Sequence, residues 1–395
     1  MKRLFRGLKP NVYALGLTSF FTDFASEMVF PLMPFFLTGV LHASKSTLGL
    51  VEGSADSLAA LLRIVSGWAS DRVGKRKPFI FWGYALSSVA RPFYAIATAG
   101  WHVLAIRLTD RLGKGTRLAA RDALIADSCE KGDRGRAFGL QGAMDNFGAA
   151  LGPILASLLL YWGVPLRRVF LLTAIPAAAV MIVIAVFVRD IRSTAPPAQL
   201  RLSLKPFGGR FRWFLLTIAV FTMANSSDAF LVQRAPDCGI PIVWVPIFWA
   251  GFSTLRSLLA LPGGALADRF DRRYVVLAGW LIYAGCYAGL AFAGTPGPFL
   301  ALIAVYAAFS ALATSNLRAI VVDLVPADLR GTAFGLFYFA IGLVSLPSSL
   351  LFGALSEHAS PRTAFLTDAA LALVACVMLL MLRAGKAAAG DVAKG

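Results

Sequence analysis

Acidic residues are scarce in this 395-residue chain: 21 Asp and Glu stand against 38 Lys and Arg, a formal net charge of +17. Charge of either sign is thin at 15% of residues, while 58% are apolar. Soluble domains of this size carry roughly 25% charged residues, so that class is excluded. Only four cysteines occur, at Cys129, Cys238, Cys286 and Cys376, with no C-x-x-C spacing; neither a disulfide framework nor a thiolate metal site is indicated. The three histidines, His42, His102 and His358, are too scattered to form a ligand set. No nucleophile–base set is evident, and Gly113-Lys114-Gly115 lacks the spacing of a phosphate loop. Neither an enzyme nor a bound cofactor is expected.

Long apolar runs dominate what is present. A membrane span needs about 20 mostly apolar residues. Twelve such segments can be read, at 12–38, 46–70, 78–98, 102–127, 135–160, 166–188, 213–235, 241–266, 273–293, 297–324, 332–354 and 363–384. The first carries acidic residues and lacks a small-residue cleavage site, so it is expected to remain as a span.

Basic residues crowd alternate connections: Lys2, Arg3, Arg6 and Lys9; Arg72, Lys75, Arg76 and Lys77; Lys131, Arg134 and Arg136; Arg189 to Arg212; Arg269, Arg272 and Arg273; Arg330; Arg383 and Lys386. That alternation is the positive-inside pattern, which predicts both termini in the cytoplasm and a multi-pass protein of the inner membrane. Nucleic acid as a partner is excluded, because no contiguous solvated basic domain exists. The expected partners are the lipid bilayer, a small-molecule solute and protons, with one chain sufficient for a pathway.

The chain also repeats itself. Gly67-Trp68-Ala69-Ser70-Asp71-Arg72 returns as Gly264-Ala265-Leu266-Ala267-Asp268-Arg269, and Arg134-Gly135-Arg136-Ala137-Phe138-Gly139 as Arg330-Gly331-Thr332-Ala333-Phe334-Gly335. Asp71 to Asp268 is an offset of 197 positions and Arg134 to Arg330 one of 196. Two motifs sharing an offset indicate parallel halves, residues 1–188 and 213–395, joined by a polar linker at 189–212. Duplicated bundles of this kind are mostly transporters.

These residues resemble the major facilitator superfamily. Its loop signature between spans two and three, G-x-x-x-D-R-x-G-R-[RK], is matched by Gly67, Asp71, Arg72, Gly74, Lys75 and Arg76. The second copy matches at Gly264, Asp268, Arg269, Arg272 and Arg273, with Asp271 where a glycine is usual. Gly139, Gly148 and Gly152-Pro153 resemble the family's antiporter signature in span five, with Ala156-Ser157 replacing two glycines. The resemblance implies an all-α membrane fold of twelve helices in two six-helix halves, rocking around a midplane site. It implies a cytoplasmic gate at Gly67, Asp71, Arg72, Arg134, Asp268, Arg269 and Arg330, for which simple topology is the competing explanation. Gly148 and Gly152 also form a small-xxx-small face that admits a close helix neighbour.

Ions inside the spans set this chain apart. Span four contains Arg107, Asp110, Arg111, Lys114, Arg117 and Arg121, its five basic residues within an arc of about 120° at helical spacing. Each would cost roughly 2.5–3.5 kcal/mol facing lipid at mid-helix. The stripe must therefore face water, protein acids or substrate. The resemblance places spans one, four, seven and ten around the cavity. Asp23 and Glu27 in span one, and Glu52, Asp56 and Arg63 in span two, offer opposing charge. Matching depths predicts Glu27 and Asp56 near Arg111, Asp23 near Lys114 and Glu52 near Arg107. Asp23, Glu27 and Asp56 are the candidates for proton coupling, although a ladder that only neutralises charge for insertion is the alternative. Asn225, Asp228, Asn316 and Arg318 are candidate cavity residues of the second half, and Asp228 is a plausible mate for Arg256.

The expected function is proton-coupled exchange that exports a small organic solute by alternating access. The alternative is proton-coupled uptake of an organic anion on the cationic stripe, decided by the net charge of the cavity. A receptor or sensor on the same bundle would be expected to add a soluble signalling domain, which this chain does not offer.

Overall fold

The computed structural model describes residues 8–73, 75–130, 133–191, 203–326 and 329–382, all helical or connecting backbone. Twelve spans run in sequence. Span one is Pro10–Val29 continued through short turns to Val40, span two is Lys45–Val73, and span three is Lys77–Ala90 with a tighter turn at Arg91–Ile96. Span four is Gly100–Asp127, span five Arg134–Tyr161, span six Leu166–Phe187 and span seven Gly209–Ala224 with Ala229–Arg234. Spans eight to twelve are Val245–Arg269, Arg272–Leu290, Pro296–Leu324, Arg330–His358 and Pro361–Met381. With an even number of crossings, residues 8 and 382 lie on one face, called the termini face below.

Nine of these are long and apolar enough to cross a membrane by length and composition among the described residues. Spans two, three and four are the others, and the sequence says why. Spans two and four are the charged ones, and span three tightens where Arg91-Pro92 removes a backbone donor. The described residues thus form twelve spans, consistent with the expected bundle, and spans two, three and four are held by the rest.

Two helices break at equivalent places. Span one leaves regular α geometry at Phe30–Leu32, where Pro31 and Pro34 each withhold an N–H. Span seven ends at Ala224 and resumes at Ala229, leaving Asn225–Asp228 as irregular backbone. Phe30 and Ser226 are 196 positions apart, the repeat offset. Irregular backbone at this depth is tolerated where it is buried in protein or lines a cavity.

Small residues set the helix spacing. A side-chain carbon added at Gly148 or Gly152 would meet the backbone carbonyls of Phe20 or Phe24, so span five lies directly on span one. The halves meet along two seams, span two on span eleven and span five on span eight. In the first seam Gly49 and Gly53 lie under the backbone of Ser349 and Leu346. Away from the termini face the halves are tied by Ser46 donating to Glu357 Oε2 at 2.9 Å from its N–H, and by Ser157 donating to the Val243 carbonyl.

Residues 192–202 of the expected linker, like the basic residues Lys2, Arg3, Arg6, Lys131, Arg383 and Lys386, lie outside the described residues.

Candidate functional site

Between the halves lies a cavity of about 620 Å³. The N-terminal half contributes Glu27, Phe30, Glu52, Asp56, Arg63, Arg111 and Lys114; the C-terminal half contributes Asn225 to Asp228, Trp249, Phe252, Arg256, Tyr306 and Arg318. On the side away from the termini face it is capped by Trp249, whose indole N–H donates to Glu27 Oε2 at 2.8 Å and whose ring packs against Phe30 at 4.9 Å. Arg63 and Arg318, both exposed, stand toward the termini face, with the Arg63 guanidinium 4.7 Å over the Tyr338 ring.

Charges on the walls fall into two sets. One set is paired: Arg107 Nη2 sits 2.7 Å from Glu52 Oε2, and Arg256 lies 3.8 Å from Asp228, which also accepts from Tyr306 Oη at 2.8 Å. The other set is open. Asp56, Arg111 and Lys114 line the cavity without an ion pair inside 4.0 Å among the described residues. Opposite charges lining one cavity without an ion pair form a site that a solute or a proton can rebalance.

The span-four stripe does not face the cavity as a whole. Asp110 and Arg117 form one edge of its arc, and that edge rolls onto span three. Asp110 accepts from Arg91 at 2.9 Å, and Arg91 also donates to the Thr22 carbonyl at 3.1 Å. Arg117 donates to Ser87 and lies 4.4 Å over the Tyr84 ring. Both were expected in the cavity and neither lines it, because an arc of about 120° is wider than the cavity's share of the helix. Arg107 is likewise buried behind the wall, on Glu52 and 5.5 Å over Phe30. Arg121 turns to Ser19 at 3.0 Å and Asp122 at 3.0 Å. Arg111 and Lys114 are what remains of the stripe inside.

Other expected positions resolve as follows. Glu27 contacts Trp249 rather than Arg111. Asp23 stands outside the cavity lining, within electrostatic reach of Glu27, Lys114 and Asp145. Asn316 is not a lining residue: its amide donates to the Leu312 carbonyl at 2.7 Å in its own helix. Asn225, Asp228 and Arg318 do line the cavity. In the expected gate, the side chains of Gly67, Asp71, Asp268 and Arg269 lie outside the described residues, while Arg72, Arg134 and Arg330 are exposed. Gly139 has open space about it, unlike Gly148 and Gly152, and Pro153 is buried inside span five.

Sequence reading missed Asp145, which accepts from Gln141, and Asp368, which accepts from Ser226 Oγ at 2.7 Å. The available signal was the presence of an acid within an apolar span, which by itself marks a functional candidate.

The comparisons agree with this architecture. A family model described as Major Facilitator Superfamily matches residues 15–253 and 244–394. An uncharacterized MFS-type transporter of Methanocaldococcus jannaschii is 33% identical over 385 residues, covering 95% of this chain and 96% of the relative. A multidrug resistance protein of Escherichia coli is 25% identical over 196 residues, half of each chain. Among solved structures, a nucleoside transporter superimposes with a TM-score of 0.80 at 14% identity, covering 94% of this chain and 99% of the other. A bacterial homologue of the human lysosomal transporter Spinster, inward-facing and occupied, gives 0.76 at 15% identity over 95% and 97%. These low identities carry the fold alone; the family model and the archaeal relative carry the family. The chain belongs to the major facilitator superfamily of membrane transporters.

Proposed function

We propose that this transporter couples protons to the movement of a small organic solute, in the export direction, by rocking its halves around the central cavity. The observation that supports it is charge lining the cavity without an ion pair: Asp56 and Glu27 share the wall with Arg111 and Lys114, which have no fixed partner among the described residues. Protonating an acid there changes the cavity's net charge without breaking the fold, so proton and solute can compete for one electrostatic vacancy. Asp23, Glu27 and Asp56 are the carboxylates proposed to take part. The close packing of span five on span one, which carries two of them, and the multidrug resistance name of a partial relative support export. With the positive-inside pattern, the termini face is the cytoplasmic face, so this conformation opens inward and is closed outward by Trp249, Phe30 and the Ser46–Glu357 contact.

A second reading, uptake of an organic anion, is favoured by one feature. With Arg107 and Arg256 committed to Glu52 and Asp228, the lining keeps Arg63, Arg111, Lys114 and Arg318 against Glu27 and Asp56. That surplus is cationic and would hold a carboxylate or phosphate.

Thermal stabilisation across a chemically broad panel finds binders by mass action. Flux of the best binder in proteoliposomes of each orientation then sets direction. Solute efflux driven by an inward proton gradient, and its loss in folded Asp23→Asn, supports the proposal; flux indifferent to the gradient overturns it.

A further inference from the structure

The most unusual ion in the protein lies outside the cavity. Asp368 is 0% exposed, in the first half of span twelve. Its Oδ2 accepts from Ser226 Oγ at 2.7 Å, and its Oδ1 has no hydrogen-bond partner. Among the described residues no Lys, Arg or His comes within 4.0 Å of it. The titratable groups within its electrostatic reach are Tyr283 and Tyr287 of span nine; Asp228 of span seven and Tyr306 of span ten lie next along that network through Tyr287, and span eleven packs Phe352 on the neighbouring Phe365. The nearest cationic side chain of that network, Arg256, is engaged by Asp228.

Every other buried acid named above has a cation or an indole or amide donor, or faces the aqueous cavity. A buried carboxylate whose hydrogen bonds come from Ser226 alone, with no cation beside it, carries a desolvation cost of several kcal/mol. Replacing it by its neutral acid removes that cost. A second observation shows how the proton can move. Ser226, the donor, belongs to the irregular Asn225–Asp228 turn of span seven and is itself part of the cavity wall. One residue thus belongs to the cavity wall and hydrogen-bonds the sealed carboxyl.

We propose that Asp368 is a second proton-binding site: it holds a proton in this conformation and exchanges it with cavity water through Ser226 as the broken turn of span seven rearranges. The step is a plain acid–base exchange. The carboxylate takes H⁺ from hydronium in the cavity to become the acid, leaving water, and on release returns it to water as hydronium, with no redox partner and no leaving group. Holding the proton keeps the turn docked on span twelve. Losing it creates a buried anion that is relieved only when the turn moves and water enters. This inference deepens the proton-coupled reading by adding a site in the C-terminal half.

Infrared spectroscopy of the full chain in lipid tests it with the proton as the only ligand. The wild type is expected to show a protonated-carboxyl C=O band near neutral pH that shifts in deuterated water and disappears reversibly as pH rises, before unfolding. Asp368→Asn, which mimics the neutral acid in shape, should fold and lack that band; Glu27→Gln should retain it. Ser226→Ala should keep the band but shift its frequency and slow its deuteration. Absence of the band in wild type, its persistence in Asp368→Asn, or a band that stays until unfolding overturns the proposal. None of these outcomes depends on solute flux, so failure here leaves coupling through Asp23, Glu27 or Asp56 standing, and failure of flux coupling leaves this result readable.

Discussion

Arg272 Nη1 meets Asp323 Oδ2 at 2.6 Å, tying the start of span nine to the end of span ten. The same pair exists 196 positions earlier as Arg76 and Asp127, at 3.5 Å between the start of span three and the end of span four. The duplication therefore repeats a contact as well as a motif. It gives the basic residues of both loop signatures work inside their own halves: each pair binds two neighbouring helices at the termini face.

The two copies differ in burial, and stability should follow. Arg76 is 4% exposed and its backbone N–H donates to Asp190 at 3.0 Å, whereas Arg272 and Asp323 have side chains 35% and 54% exposed. Arg272→Ala is expected to cost no more than about 1 kcal/mol. Arg76→Ala should cost more, though less than the roughly 3–5 kcal/mol of a fully buried pair, because the Asp127 side chain is 32% exposed. Thermal unfolding of both variants in detergent gives the order; equal losses contradict it.

Arg91 and Asp110 form a closely enclosed charge pair of the N-terminal half, with side chains 4% and 5% exposed. Asp110→Asn leaves the buried Arg91 guanidinium without its counter-charge, beside further arginines of span four, and should lower stability by about 3–5 kcal/mol. The double variant Arg91→Gln with Asp110→Asn should recover part of that loss, because two neutral amides leave no bare ion. Unfolding midpoints of the single and double variants decide it.

Gly148→Val places a branched side chain against the Phe20 carbonyl. Overpacking of this kind costs about 1–3 kcal/mol. The same change at Gly139, which has open space around it, should be nearly silent. Comparing the two by unfolding midpoint separates close helix approach from a general intolerance of larger residues in span five.

Arg111 and Lys114 distinguish the two functional readings. For an anionic solute, Arg111→Gln with Lys114→Gln should weaken binding by about tenfold or more, near 1.4 kcal/mol. A neutral or cationic solute should bind as well or better. Titration of the stabilising ligand against wild type and variant reads the difference.

Asp271 gives a pH prediction outside the spans. It caps span nine, accepting from the Arg273 backbone N–H at 2.9 Å and from its guanidinium at 2.6 Å, and the Arg273 hydrogen bond holds its carboxyl below the usual carboxylate range. A lowered folded-state value means the contribution is present above the unfolded value of an aspartate, about 3.9, and is lost as pH falls through the folded value. The stability gap between wild type and Asp271→Ala should therefore be full at neutral pH and shrink in acid. A gap that is constant with pH refutes the assignment.

Much of the fold was legible because lipid punishes errors in one dimension. Apolar run length, loop charge and the repeat offset each depend on local sequence, so twelve helices, parallel halves and the Glu52–Arg107 and Asp228–Arg256 partners could be read from spacing and depth. Which way an ion turns around its helix could not. Asp110 and Arg117 share the stripe with Arg111 and Lys114, and the outcome depended on span three offering Arg91, Ser87 and Tyr84 to one edge. Glu27 was assigned a cation by depth alone, while its indole partner is 222 residues away in the other half. Repeat symmetry does not supply such partners either. The positions equivalent to Arg91 and Asp110 are Tyr287 and Tyr306, whose rings pack at 5.9 Å, so the second half fills with aromatics what the first fills with charge.

At Gly49 and Gly53 the facing helices touch main chain to main chain. Surfaces that meet this way have no interlocking rotamers to disengage, so one cylinder can roll along the other while the contact stays dry. In the proposed rocking motion this close seam would serve as the pivot, and larger side chains placed there would block movement without touching the cavity.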